Sequence, residues 1–308
     1  MAIFELSEHF RYFFGRINPG SSFTSTASSQ YNSIKGLIEN ASGPAAVLSP
    51  RCFLQGSYDQ STAIYTINDI DVIVLCELWQ PGAGSGSGPT WDRDRIFATI
   101  AAPLRADGRY KDKVYFKPTS MCIKVDLGIK VEILPVVYKQ GTYDWQAEPF
   151  RLFRPETGQW EDGYARYHQA HLSAKNRSAY GNFVPMIKVL KHLRSNTKVP
   201  AVSFHLECLL FSVPDYVYLG SPATYIRDVL EHLAGKSADD WFYSAIKTPC
   251  GERFLFNEWQ YDSWKLFHSC LPLWAKAARL GTEALSKETA VQAWQIILGP
   301  EFFPATVS

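Results

Sequence analysis

Two aspartates, Asp69 and Asp71, open the run Asp69-Ile70-Asp71-Val72-Ile73-Val74-Leu75, just after the turn residues Gln55-Gly56-Ser57. Successive side chains of a strand point to opposite faces, so Asp69 and Asp71 share one face while Ile70, Val72 and Val74 fill the other. Paired carboxylates on an otherwise apolar strand are costly unless something positive joins them. Mg²⁺ fits that need: it is a hard cation held by one or two carboxylates together with substrate phosphates. The combination reads as phosphoryl transfer on a nucleotide.

If Asp69 and Asp71 hold metal for an in-line displacement, a third carboxylate is needed, because one ion activates the attacking oxygen and the other stabilises the leaving group. Glu132, in Lys130-Val131-Glu132-Ile133-Leu134-Pro135, is a lone acid in an apolar strand and needs a partner there. Asp126 is its rival; it lies beside Gly128 and suits the flank of a turn. Glu132 is preferred.

The 308 residues allow two modest domains or one large one. A hydrophobic content of 46% with 20% charged residues describes an ordinary globular chain, and a net charge of +1 gives no global electrostatic argument for a polynucleotide partner. No apolar run approaches the roughly 18 residues of a membrane span, and the N-terminus lacks the pattern of a signal peptide. The six scattered cysteines read as reduced core thiols of a cytoplasmic protein.

The elements that must position the acids follow in order. Helices are predicted over Phe4 to Phe14, Ser28 to Glu39 and Trp91 to Leu104; strands over Pro50 to Leu54, Asn68 to Leu75, Lys113 to Phe116, Met121 to Leu127 and Ile129 to Val137. The glycine–serine segment at 82–89 suits a surface loop or a mobile flap near the nucleotide. Strand patterns stop around Tyr143 to Trp160 and helical ones follow, placing a domain boundary near residue 160. In the helical half Lys188 and Lys191 neighbour each other on one helix surface, and Trp241, Trp259, Trp264 and Trp274 are expected to build its core.

Gly56-Ser57, Asp69-Ile70-Asp71-Val72 and Val131-Glu132-Ile133 resemble the ordered motif of the polymerase-β-like nucleotidyltransferases. Phe53-Leu54-Gln55-Gly56-Ser57-Tyr58, Ser61-Thr62-Ala63-Ile64 and Asn68-Asp69-Ile70-Asp71 are similar to the bacterial CD-NTases, the cyclic GMP-AMP synthase/DncV-like family of cyclic-oligonucleotide synthases. Glu132-Ile133-Leu134-Pro135 looks like the third-acid motif there, with glutamate in place of the usual aspartate. Trp294 to Pro304 resembles the end of that family, and the Tyr65-Thr66-Ile67-Asn68 spacer looks closest to its clade G.

The resemblance implies an α+β fold: a nucleotidyltransferase lobe of mixed sheet and helices over 1–160, an α-helical C-terminal lobe over 161–308, N-terminal helices packing on both, and the active site in the cleft between. It implies catalytic and metal-binding roles for Asp69, Asp71 and Glu132 with two Mg²⁺ ions, Mn²⁺ being an alternative. The glycine lets backbone amides approach the phosphates and the serine hydroxyl adds a donor, so Gln55, Gly56 and Ser57 bind nucleotide. Lys191 matches the lysine that reaches the donor triphosphate, with Lys188 assisting; Ser203 matches a phosphate-binding serine and Phe204 a base-stacking aromatic. The implied activity is synthesis of a cyclic di- or trinucleotide second messenger from nucleoside triphosphates, ATP as one and GTP as a second, with release of pyrophosphate. The implied setting is antiphage signalling of the CBASS type, with a separate effector reading the product, CBASS accessory proteins as further partners, and neither a nucleic-acid template nor a membrane. The rival readings are a template-free nucleotidyltransferase acting on RNA, protein or a small molecule, and an inactive nucleotide-binding scaffold.

Overall fold

The structure, a computed structural model, describes residues 6–79, 91–139 and 148–307. The glycine–serine segment at 82–89, and with it the expected flap, lies outside the described residues. The chain divides into two compact units. One comprises Gly20–Ser61 and Thr66–Tyr167, the other Met1–Pro19, Thr62–Tyr65 and His168–Ser308. The first helix, α1 (Ser7–Ile17), therefore belongs with the helical unit, and α2 (Ser21–Ile38) with the sheet unit.

The sheet unit continues with β1 (Arg51–Gln55), the single turn α3 (Gly56–Asp59), β2 (Asp69–Trp79), α4 (Arg93–Ala106), β3 (Val114–Tyr115), β4 (Ile123–Asp126), β5 (Lys130–Tyr138), β6 (Phe150–Arg154) and β7 (Gln159–Gly163). Strand order is β1-β2-β5-β4-β3, with β6 on the far part of β5 and β7 on β6. Only the β2–β5 pairing is parallel among the described strands, which makes the sheet mixed. Ile70, Val72 and Val74 of β2 and Val131 and Ile133 of β5 bury one face against Ala27, Ile34 and Ile38 of α2 and Ile96, Phe97, Ile100 and Leu104 of α4. The opposite face carries the acids at one end. Farther along it lies a small apolar cluster of Ile73, Leu75, Val136, Tyr138 and Phe150.

The division falls after Tyr167 rather than near 160, because β6 and β7 extend the sheet through the stretch where strand patterns were expected to stop. Charged residues interrupt these strands in the sequence. Asp162 of β7 pairs with Arg151 of β6 at 2.7 Å and with Lys139 at 3.0 Å, and Glu161 pairs with Arg154 at 3.3 Å. Charges across neighbouring strands help hold such a hairpin, in which only Phe150 is buried.

The helical unit holds most of α5 (Ala165–Ser178), then α6 (Phe183–Thr197), α7 (Ser203–Phe211), α8 (Pro222–Ala234), α9 (Ala238–Phe242), α10 (Tyr261–Glu283) and α11 (Lys287–Leu298). Ser221 caps α8, its hydroxyl accepting from the Thr224 N–H, with Pro222 at the first helical position, where its missing N–H costs nothing. Trp241, Trp259, Trp264 and Trp274 are all buried in this unit's core, together with Phe10, Phe13 and Ile17 of α1. Cys52, Cys76 and Cys208 are buried, whereas Cys122, Cys250 and Cys270 are partly exposed. Among the described residues no helix is long and apolar enough to cross a membrane.

Candidate active site

Register builds the site. Gln55 of β1 lies opposite Asp71 of β2, Asp71 opposite Glu132 of β5, and Glu132 opposite Lys124 of β4. Residues in register project on the same face, so Gln55, Asp71, Glu132 and Lys124 form one row across four strands. The adjoining row is Asp69, Lys130 and Asp126. The alternation read from the sequence thus delivers both aspartates to one face, and the parallel pairing of β2 with β5 brings Glu132 beside them.

Gly56 closes the end of this row. Its φ of +77° lies in the left-handed region, and a Cβ there would come within 2.1 Å of Asp71 Oδ2. The backbone at the start of α3 therefore lies directly against the Asp71 carboxylate, and no side chain fits between. Gln55 and Ser57 flank it, both partly exposed.

Burial pushes Asp71 up to about 7, reinforced by the charges of Asp69 and Glu132. Asp69 is raised too, first by burial and then by Glu132; its own backbone N–H, Lys130 and Lys124 oppose the shift. Glu132 is differently placed: its Oε1 accepts from Lys124 Nζ at 2.7 Å and its Oε2 from Cys122 Sγ at 3.6 Å. Burial and the neighbouring Glu132 push the Cys122 thiol up to about 12, which keeps it protonated and a donor. Lys124 is held above its ordinary value by the hydrogen bond to Glu132. Among the described residues no three His, Cys, Asp or Glu side chains are gathered as a group that could hold a metal ion. The three acids share a face, but Glu132 is directed to Lys124 and Cys122.

Asp126 has a turn to hold. It is exposed, and its carboxylate accepts from the Gly128 N–H at 3.3 Å.

A cavity of about 610 Å³ opens over the row, walled by Ser120, Met121 and Cys122 beside Gln55, Asp71, Lys124 and Glu132. Buried Arg93 supports that wall from below. Its guanidinium donates to the carbonyls of Lys117, at 2.8 Å, and Ser120, and lies 3.8 Å from the centre of the Phe97 ring. A larger cavity of about 770 Å³ on the same unit is lined by Tyr31, Lys35, Glu39, Arg51 and Glu77. Those groups pair among themselves or with backbone: Arg51 with Glu77, Lys35 with Glu39, the Tyr31 hydroxyl with the Cys52 carbonyl. The chemistry therefore belongs to the smaller cavity.

Lys124, Cys122 and Ser120 were not foreseen. The signal was there for Lys124: it sits between Ile123 and Val125, which are both buried, so alternation sends it to the acids' face. The pairing of β4 with β5 in that register was not readable.

The four residues expected from the helical half lie in the other unit, where Lys191 is held by buried groups. It is 2% exposed, and its Nζ donates to Glu207 Oε1 at 2.7 Å, to Thr62 Oγ1 at 2.9 Å and to the Thr62 carbonyl at 3.2 Å. An ammonium has three protons to give, and these three acceptors lie within reach of them. Lys188 donates to Asn18 Oδ1 at 2.7 Å, and its pKa is lowered by partial burial and by neighbouring Lys191. The Ser203 hydroxyl, at the first position of α7, accepts from Arg194 at 3.3 Å. The half-buried Phe204 ring packs 5.2 Å from that of His168.

Comparison with known proteins gives the arrangement its family. Residues 4–176 match the Second Messenger Oligonucleotide or Dinucleotide Synthetase domain, and residues 170–271 the cGAS/DncV-like nucleotidyltransferase C-terminal helical domain. The cyclic UMP-AMP synthase of Rhodothermus marinus is 24% identical over 258 residues, 76% of this chain and 85% of that protein. Escherichia coli CdnC, solved with ATP, superposes with a TM-score of 0.72 at 17% identity, covering 96% of this chain and 98% of its own. CdnG of Bradyrhizobium diazoefficiens, solved with GTP, gives 0.68 at 13%, covering 97% and 96%. At such identities the structural likeness shows the fold alone and does not single out clade G. The synthetase domain spans more than half of the chain, from the first helix through the row of acids, and the protein belongs to the cGAS/DncV-like family of second messenger oligonucleotide or dinucleotide synthetases, which are nucleotidyltransferases.

Proposed function

We propose that this enzyme joins nucleoside triphosphates into a cyclic di- or trinucleotide second messenger, releasing pyrophosphate at each bond. The carrying observation is the row Gln55–Asp71–Glu132 with the Gly56 backbone pressed against Asp71. The donor set suits a hard divalent cation: carboxylate oxygens, with Asp71 raised by burial and by two like charges that nothing nearby offsets fully. Asp69 and Asp71 would hold Mg²⁺, or Mn²⁺ in its place, and Glu132 would join them by exchanging Lys124. The cation, when bound, supplies charge neutralisation for the triphosphate and the leaving pyrophosphate.

The chain's own groups do the rest. The amides at Gly56 and Ser57 and the Ser57 hydroxyl hold the phosphates of one nucleotide, and Gln55 borders them. A ribose hydroxyl of a second nucleotide gives its proton to Glu132 while its oxygen bonds to the α-phosphorus, and the bond to the bridging oxygen of pyrophosphate breaks. Alignment and electrostatic stabilisation lower the barrier. A second round on the linear intermediate closes the ring. ATP is one expected substrate and GTP another, in keeping with the nucleotides bound by the CdnC and CdnG structures. A separate effector would read the product.

The test is incubation with labelled nucleoside triphosphates and Mg²⁺, followed by phosphatase. A phosphatase-resistant small product is the expected result. Label only on RNA, protein or another acceptor would instead make the enzyme a template-free transferase, and no turnover under any activating condition would make it a scaffold. Asp69→Asn with Asp71→Asn should abolish product, and activity surviving in that variant would remove the acids from the site.

A further inference from the structure

The helix α10 buries one side in the helical unit through Trp264, Phe267, Leu271, Trp274 and Ala278. At Gly281 a Cβ would come within 2.6 Å of Trp294 Nε1, so α11 lies close against the helix there. The other side carries a feature that the fold does not use. Leu266, Leu273 and Leu280 are 56%, 68% and 51% exposed, and they recur every seven residues. Seven residues fall about 20° short of two full turns, so the three leucines form one stripe that drifts by about 40° along the helix. A single exposed leucine needs no explanation, whereas three in line on one helix mark a surface that something covers.

A strict seven-residue period is what one helix presents to another that crosses it at a shallow angle of about 20°. Two properties select a second copy of this chain as that helix. The stripe is its own complement: Leu273 lies next to the midpoint of Tyr261–Glu283, so a two-fold axis there lays Leu266 on the second copy's Leu280 and Leu273 on itself. The charges then agree. Lys265, Lys276 and Glu283 are exposed beside the leucines. In the antiparallel pairing Lys265 faces the second copy's Glu283, twice by symmetry, and Lys276 falls opposite the polar Ser269 and Cys270. In a parallel pairing each lysine would meet itself, which is repulsive. Arg279, on the same side, is already turned to Glu231 of α8 at 2.7 Å. A membrane surface is the rival cover for leucines flanked by lysines, but the exposed Asp262 and Glu283 on the same side oppose an anionic bilayer.

We propose that α10 is a self-association surface through which two copies of this chain pair antiparallel about Leu273. The seam has one leucine every two turns, with Ser269, Lys276 and Glu283 in between, so the contact belongs at the small end of specific interfaces, below about 1,200 Å². The dimer is correspondingly weak, with a dissociation constant on the order of tens of micromolar. It stands apart from the proposed synthase reaction and needs no nucleotide.

Sedimentation equilibrium of the full chain from about 1 to 300 µM, without nucleotide, should show a reversible monomer–dimer equilibrium. Leu273→Glu should weaken it about tenfold or more and leave Tm unchanged, because the side chain is mostly in solvent within one copy. Lys265→Glu and Glu283→Lys should each weaken association roughly threefold to tenfold, since symmetry removes two ion pairs at once. Both changes in one chain should return the constant to within about twofold of wild type. The two positions stand about 27 Å apart along their own helix, so such rescue arises only between copies, and only in the antiparallel pairing. A double variant no better than the singles overturns that pairing. A protein that stays monomeric throughout, or a dimer indifferent to Leu273→Glu, overturns the surface itself. Flotation with anionic lipid vesicles completes the test: wild-type binding that Leu273→Glu abolishes would assign the stripe to a membrane instead.

Discussion

Gly56 and Asp71 are a matched pair in which each limits what the other position can be. A methyl group at 56 would have to displace the Asp71 carboxylate and also occupy a positive φ. Gly56→Ala is therefore expected to cost roughly 1–3 kcal/mol of stability and to lower turnover about a hundredfold, since a shift of about 1 Å in a positioned group has that effect. Denaturant melts and initial rates check it; near-wild-type activity would show that the carboxylate does not need its place. The raised carboxyl of Asp71 gives a second expectation at this scale. Its folded-state value of about 7 stands above the 3.8 of the unfolded chain, so the folded form binds the proton more tightly. The stability this contributes is fully present below 3.8 and is lost as pH rises through about 7. Metal-free protein should thus melt at a lower temperature at pH 8 than at pH 5.5, and Asp71→Asn should flatten that part of the profile. An equally steep profile in the variant would assign the effect to other groups.

At the scale of elements, the four-strand row explains what was readable and what was not. The faces of β2 were legible because alternation is local: Asp69 and Asp71 against Ile70, Val72 and Val74 needs no knowledge of any neighbour. Glu132 was legible as an acid that needed a partner, but its partner was not. Lys124 comes from β4, and only the antiparallel register of β4 on β5 places it there. The same limit hid the anchoring of Lys191, whose partners Thr62 and Glu207 lie 129 and 16 positions away along the chain. Basic spacing on α6 records a helix face, not what covers it, so the burial of Lys191 was not legible. β6 and β7 went unseen because both are short, only Phe150 of the two is buried, and charged Arg151, Arg154, Glu161 and Asp162 interrupt the pattern. The Lys124–Glu132 pair carries a prediction of its own. It is partly exposed and competes with any cation that Glu132 would join, so Lys124→Met should tighten Mg²⁺ binding roughly threefold to tenfold, about the worth of one such pair. Calorimetry with Mg²⁺ alone reads this; unchanged or weaker binding would mean that Glu132 takes no part in holding the ion.

At the scale of the whole molecule, the chain order and the folding units disagree. The helical unit begins with α1, leaves the sequence for the sheet unit, returns for Thr62–Tyr65 and closes only from His168 onward. Its core depends on the early piece: Phe10, Phe13 and Ile17 of α1 are buried, Phe10 edge-on to Trp294 at 5.0 Å and Phe13 edge-on to His192 at 5.3 Å. Deleting a buried phenylalanine costs about 3–5 kcal/mol through lost burial and the cavity left behind. For a chain of this size that corresponds to a fall in Tm of roughly 5–15 °C. Phe13→Ala should show it, although position 13 is remote in sequence from every other helix of the unit except α1 itself. A fragment carrying only residues 168–308 should lack cooperative melting, because it lacks both α1 and the Thr62–Tyr65 segment. Adding a peptide of residues 1–19 should restore part of the near-ultraviolet circular dichroism of its tryptophans. Cooperative unfolding of the fragment alone, at the Tm of the full chain, would show that the helices from His168 onward need neither piece, and the unit would then be contiguous in its energetics even though it is discontinuous in its contacts.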